Sequence, residues 1–164
     1  MQDPNIVGQL RKGDGSALKR LYRNTADRAY LLAMRMTGDP STTNKVIQAV
    51  FEELWHKRKT IDPLQDLSSR ILRETYVCVR ELQKEKGVKL CPLPDPSTHQ
   101  YQTLLEKLVK LEETEQLVYL LHTADGFSTR EVARTLDISD EAATTLHARA
   151  LEKLQSEVFE IGMD

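Results

Sequence analysis

Residues that interrupt helices are scarce: 164 residues include only 7 glycines and 6 prolines. Cysteine is scarcer still. Cys78 and Cys91 have neither the spacing of a zinc knuckle nor that of a CxxC redox pair, so two reduced thiols without a catalytic role are expected. His56, His99, His122 and His147 are scattered, with no HExxH or paired-ligand spacing, which argues against a metal site. A Walker-type loop, a GxGxxG turn and a GxSxG elbow are all missing, and with them the usual footing for enzymatic chemistry. No apolar run approaches the roughly 18 residues needed to span a bilayer, and the opening MQDPNIVGQL does not read as a secretory signal. The expectation from these absences is a cytoplasmic chain, not an enzyme, with no membrane insertion, catalytic residue, cofactor or metal.

Apolar residues make up 40% of the chain and charged residues 29%, a balance that folds. Leu, Ala, Glu, Lys and Gln are plentiful, so the intrinsic preference is helical. The length allows one ordinary domain or two small ones. A net charge of −2 conceals an asymmetry: residues 1–102 carry 17 basic and 12 acidic groups, a net of +5, while residues 103–164 carry 6 and 13, a net of −7. Any nucleic-acid function must accommodate a basic front and an acidic back.

One stretch is rich in turn residues, GVKLCPLPDPS at 87–97, where Pro92, Pro94 and Pro96 alternate and each disfavours helix before it. The charge changes sign at the same place. A linker at 87–102 is therefore expected between helical domains at 1–86 and 103–164. In the first, the pattern predicts helices at 3–11, from a Ser16 cap to Thr37, from Asp39-Pro40-Ser41 through Trp55, and at 65–86. Their inward stripes are Leu18, Leu21, Tyr22, Ala29, Leu32, Ala33 and Met36, then Val46 through Trp55, then Leu67, Ile71, Leu72, Thr75, Val79 and Leu82. In the second, helices are expected at 101–110 and 113–123. A short helix opened by a Ser128/Glu131 capping box then leads to a turn at Asp137 and a long helix from a Ser139 cap to about Val158. Asp137 is among the few residues other than glycine that tolerate positive φ at such a turn. Short helix, four-residue turn and long helix make a helix-turn-helix pattern, although an ordinary helical hairpin has the same outline. No segment alternates with period two, so the fold class is all-α.

The string LAMRMTGDPSTTNKVIQAVFEELW (Leu32–Trp55) resembles the second conserved region of extracytoplasmic-function sigma factors, and KGDGSALKRLYRNTADRAY (Lys12–Tyr30) is similar to what precedes it there. The string EQLVYLLHTADGFSTREVARTLDISDEAATTLHARALEKL (Glu115–Leu154) resembles the fourth region of the same family. LWHKRKTIDP and ARALEKL are similar to the branch common in the Bacteroidota. The resemblance covers nearly the whole chain. It implies an adaptor whose first domain docks on the clamp of core RNA polymerase and engages the melted promoter element. The second domain places a recognition helix in the major groove of promoter DNA.

Carried over residue by residue, the resemblance assigns polymerase contacts to Asn44, Gln48, Glu52 and Trp55, with Trp55 equally readable as core. It assigns melted-element contacts to Arg70, Arg73 and Arg80, which otherwise form a solvated basic face, and recognition-helix contacts to Thr144, Thr145 and Arg149. Several family surface groups are replaced. Thr42, Thr43, Asn44, Lys45 and Ala49 stand where carboxylates are usual, and Leu67, Glu74 and Cys78 where the melting helix carries aromatic and Asn/Asp residues. Asp140 and Glu141 suit a helix start but repel phosphate, so isolated DNA binding is expected to be weak. Two functions follow. One is a sigma factor with degenerate promoter-reading surfaces, served by an accessory or RNA-guided DNA-targeting protein and controlled by an anti-sigma factor. The alternative is a sigma mimic that sequesters an anti-sigma factor; a plain helix-turn-helix repressor fits the first domain badly.

Overall fold

The computed structural model describes residues 5–86 and 106–160, and every regular element among them is helical. The expected linker at 87–102, with Cys91 and His99, lies outside the described residues, as do Asp3 and Pro4 of the expected first helix. The chain divides into two compact units, Met1–Lys89 and Leu90–Asp164.

The first unit contains α1 (Ile6–Arg11), α2 (Gly15–Thr37), α3 (Pro40–His56), a 3-10 turn (Arg58–Thr60) and α4 (Leu67–Lys86). Aspartates set three of the helix starts. Asp14 accepts from the Ser16 amide at 2.8 Å, Asp39 from the Thr42 amide at 2.7 Å and Asp66 from the Ser68 amide at 3.1 Å, satisfying donors that a helix start leaves open. Ser16, the expected cap of α2, is thus the donor and Asp14 the cap. Hydrogen bonds from Ser16 and Thr42 hold the Asp14 and Asp39 carboxyls below the usual range.

Helices α2, α3 and α4 pack on one another, with Leu32, Met36, Val46, Ile71 and Val79 at most 1% exposed between them. Each side chain of this kind stabilises by about 1.5–3 kcal/mol. Three expectations fail at the edges of the stripes, and Leu18 is one of them, being half-buried. Leu82 is only half-buried, and Gln83 takes its place because it follows Val79 by one helical turn. Gln83 is buried and donates to the Met36 carbonyl at 2.9 Å, tying α4 to the end of α2. Tyr22, expected inward, is 49% exposed.

The second unit has a helical turn at 106–108, α5 (Glu113–Tyr119), a π-helical turn (Leu120–Ala124), α6 (Thr129–Leu136) and α7 (Asp140–Glu160). The expected helix over 113–123 therefore widens into a π turn in its last part. Leu108, Leu111, Leu120, Ala150 and Leu154 form one buried cluster. Glu115, 3% exposed, is neutralised by Lys153 Nζ at 2.7 Å, which joins α5 to α7. The capping box of Ser128 and Glu131 is formed, and Ser139 Oγ accepts from the Ala142 amide at 3.0 Å. Asp137 has φ 59°, and the amide of Ile138 donates to the Ala133 carbonyl at 3.0 Å, turning the chain from α6 into α7 as the pattern predicts.

His147 on α7 and His122 on the π turn face each other with ring centroids 4.3 Å apart. Thr123 Oγ1 lies 3.0 Å from His147 Nε2, and the Tyr119 ring stacks on His147 at 6.2 Å. Burial, assisted by the neighbouring His122, pushes the His147 imidazole below its ordinary value of 6.5. The neutral ring is then the folded form, while the unfolded chain takes up a proton first as pH falls.

Two outcomes are expected. Positive φ costs an L-residue with a branched Cβ about 1–2 kcal/mol, so Asp137→Val should lower the unfolding free energy of the second unit by that amount relative to Asp137→Gly. Equal thermal unfolding of the two variants would contradict the left-handed turn. As pH falls through 6.5, the wild type should lose more stability than His147→Gln in pH-dependent melting; parallel curves would remove the histidine pair as the cause.

Candidate functional site

Helices α2 and α3 are joined only by Gly38 and Asp39 and run antiparallel, leaving a groove of about 520 Å³ along one side. Asn44, Gln48, Glu52 and Trp55 all line it. They recur every three or four residues on α3, the spacing that places side chains on one helical face. The opposite wall comes from α2, where Tyr22 meets Phe51 edge to face with centroids 4.9 Å apart and planes at 61°. Gln48 Nε2 donates to Glu52 Oε1 at 2.7 Å, orienting both polar heads on the rim. Trp55 is half-buried; the Arg58 guanidinium lies 4.4 Å from its ring centroid and donates to the Trp55 carbonyl at 2.8 Å. The Trp55 ring is thus partly core and partly groove lining.

Thr43 does not belong to this surface. It is fully buried, with its hydroxyl 2.8 Å from Thr37 Oγ1 and donating to Met34 Sδ at 3.7 Å. Thr43 is thus an internal residue although it stands in a run of surface positions. Asn44, Lys45 and Ala49 are exposed, so the acid-poor character of the face is a matter of those three positions and Thr42.

Arg70, Arg73 and Arg80 fall within about 80° of one another on α4 at 100° per residue, opposite the buried stripe. All three are half-buried through their apolar stems. Arg70 donates to Gln65 Oε1 at 2.9 Å and pairs with Glu74 at 3.5 Å. Arg80 donates to Gln83 Oε1 at 3.3 Å and lies 5.7 Å from the Tyr76 ring centroid. On the adjoining flank, burial, with Glu81 and Glu74 nearby, pushes the Cys78 thiol up, so it stays protonated and uncharged at neutral pH. The face offers guanidinium charge bordered by carboxylates.

On α7, Asp140, Glu141, Thr144, Thr145, Ala148 and Arg149 are all exposed, as helical spacing predicts. The Thr144 hydroxyl donates to the Asp140 carbonyl at 2.8 Å and the Thr145 hydroxyl to the Glu141 carbonyl at 2.9 Å. Their hydrogens are committed to the helix, which leaves the hydroxyl oxygens as acceptors and the methyl groups for apolar contact. Arg130 of α6 lies 3.6 Å from Asp140 and offsets one of the two carboxylates at the helix start.

The pattern missed the α2 wall. Leu18 and Tyr22 were legible only as an inward stripe, because helical spacing identifies the apolar face but not where its edge opens to solvent. Ala26, Asp27 and Tyr30 also line the groove; aromatic residues flanking a stripe on two successive helices were the available signal.

Residues 101–154 match the family described as Sigma-70, region 4. No curated protein sequence matches the chain. Among solved structures, the fold is similar to CnrH in complex with the cytosolic domain of CnrY, at TM-score 0.71 and 20% identity over 96% of this chain and 97% of that one. It is also similar to the sigma factor RpoE in complex with the anti-sigma factor NepR from Bartonella quintana, at TM-score 0.60 and 17% identity over 84% of this chain and 94% of that one. The chain thus has the helical fold of a solved sigma factor, and its residues 101–154 match sigma-70 region 4.

Proposed function

We propose that this protein is a cytoplasmic sigma factor of the extracytoplasmic-function type, an adaptor without enzymatic activity that binds core RNA polymerase and promoter DNA to direct transcription initiation. The observation that carries the reading is the α2–α3 groove. It gathers Asn44, Gln48, Glu52 and Trp55 on one wall, and the C-terminal match to region 4 supplies the second half of the adaptor. An amphipathic helix of the polymerase clamp is the proposed occupant, with its apolar stripe on Phe51 and Trp55 and its polar edge at Gln48 and Glu52. Arg70, Arg73 and Arg80 are proposed to hold the phosphates of the melted strand, and Thr144, Thr145 and Arg149 to contact the upstream element. The proposed domains are 1–86 and 103–164, joined by the linker at 87–102.

The acidic back half supports a further division of labour. With a net of −7 over residues 103–164 and Glu141 at the start of α7, counterion release contributes little to promoter affinity. A separate DNA-targeting protein, sequence-specific or RNA-guided, is proposed to raise the local concentration of promoter DNA instead. The two solved relatives are held by CnrY and by NepR, which supports an anti-sigma factor as a third partner. The same weak DNA face favours a second reading, a sigma mimic that keeps the anti-sigma surface and sequesters that partner.

Two measurements separate these readings. Wild-type protein should co-purify with core polymerase and support run-off transcription, whereas Trp55→Ala with Glu52→Arg should weaken the association at least about tenfold. Binding of an anti-sigma partner with no polymerase association would establish the mimic. Arg73→Glu with Arg80→Glu should abolish promoter opening, read by permanganate reactivity of unpaired thymines, while polymerase association is kept. Unchanged opening would remove both arginines from the DNA face.

A further inference from the structure

The hollows between α2 and α3 are sorted by charge. In the main groove Asp27 stands on the α2 wall and Glu52 on the α3 wall, and neither a lysine nor an arginine lines it. Lys19 and Arg23 border a separate hollow of about 280 Å³ that shares Leu18, Tyr22 and Phe51 with the groove. Both acids are exposed. Among the described residues, Glu52 accepts only from Gln48, at 2.7 Å, and Asp27 forms neither a hydrogen bond nor an ion pair.

Around these acids the walls are aromatic. Tyr22 and Tyr30 come from α2, Phe51 and Trp55 from α3, and the edge-to-face contact of Tyr22 with Phe51 fixes the orientation of that pair. The faces of such rings are negative and attract cations. Trp55 already takes one, the Arg58 guanidinium 4.4 Å from its centroid, but Arg58 does not line the groove. A hollow of about 520 Å³ is the size of small-molecule sites, which combine apolar walls with a few placed polar groups.

We infer that this groove binds an amphipathic amine, a small molecule with an ammonium group on an apolar body, and that its occupancy blocks the docking of polymerase. The lining selects the ligand class. An anion meets two carboxylates and no lysine or arginine, and a neutral apolar molecule uses the rings but leaves both acids without a partner. An ammonium on an apolar body uses both: its charge pairs with Asp27 or Glu52, and its body covers the rings. The effect on polymerase rests on the sigma-factor reading proposed above, which assigns Gln48, Glu52 and Trp55 to that contact; the binding itself does not.

Trp55 is the single tryptophan of the chain and lines the groove, so its fluorescence reports occupancy in the full-length protein. Three probes of similar shape are compared: phenylbutylamine, phenylbutanol and phenylbutyrate. The amine should bind saturably and at least about tenfold more tightly than the alcohol, and the carboxylate no better than the alcohol. Asp27→Asn with Glu52→Gln should weaken the amine at least about tenfold while affinity for the alcohol and thermal unfolding stay at wild-type values. Absence of saturable amine binding, equal affinity for amine and alcohol, tighter binding of the carboxylate, or an amine preference that survives in the variant overturns the inference. Saturating amine should also release the wild type from core polymerase, and the alcohol at the same concentration should not; retention on polymerase with amine bound overturns the blocking role. A wild type that prefers the amine but never co-purifies with core polymerase overturns the sigma-factor reading and leaves the amine site standing. One that co-purifies without preferring the amine overturns the amine site alone.

Discussion

The junction at Gly38 and Asp39 is the constraint on which the first unit's working surface depends. Gly38 adopts φ 65° and its amide donates to the Met34 carbonyl at 2.9 Å, ending α2 in the left-handed conformation that glycine alone adopts without strain. Asp39 then caps α3 at once through Thr42, and the hydroxyls of half-buried Thr37 and buried Thr43, 2.8 Å apart, strap the two helix ends together. Because the second helix starts within two residues of the end of the first, their register is fixed. One inserted residue would rotate α3 by about 100°, carrying Phe51 away from Tyr22 and dispersing the wall formed by Asn44, Gln48, Glu52 and Trp55. The groove is a consequence of this turn as much as of the residues that line it.

The second unit is held together by different means. Its first helix is short, opens on a capping box of Glu112 and Glu115, and widens into a π turn before the helix-turn-helix begins. Glu115 serves both as a capping residue and as the buried partner of Lys153, so one carboxylate positions α5 and fastens it to the long α7. A buried charge in such a position is costly unless paired, and Lys153 pairs it from the same helix that carries Thr144, Thr145 and Arg149. The exposed face of α7 is thereby fixed relative to α5 by an ion pair rather than by apolar contact alone.

Much of this was legible in the amino-acid order, for reasons that are local. Helix limits followed the Asp, Ser and Gly punctuation, and the positive φ at Asp137 followed from the need for a residue that tolerates it. The misses share a cause. Ser16 and Asp14 are two residues apart and both are good caps, so composition cannot choose between them. Leu82 lost its inward place to Gln83 because burial follows the 3.6-residue repeat rather than polarity, and the glutamine head finds the Met36 carbonyl. Thr43 stood in a run of surface positions yet is internal, since its hydroxyl is satisfied by Thr37 and a small polar side chain fits where a carboxylate would not. Resemblance to a family marked α3 as the contact helix. It could not supply the α2 wall, which depends on how two helices meet.

On the sigma-factor reading proposed above, the two faces would differ in how they hold a partner. On the groove, Tyr22, Phe51 and Trp55 offer apolar and aromatic area, and Asp27 and Glu52 are its carboxylates. Fewer rim charges lower the association rate and its dependence on salt, whereas buried apolar contact sets how slowly the partner leaves. The proposed nucleic-acid face is the opposite case: guanidinium groups on α4, with attraction that ionic strength screens within about 10 Å at 0.1 M. An adaptor of the proposed kind would keep its grip on a protein across a range of salt and release a strand as salt rises. In the proposed division of labour, discrimination among DNA sites comes from what brings the strand to the protein more than from the α7 face, where Asp140 and Glu141 repel phosphate.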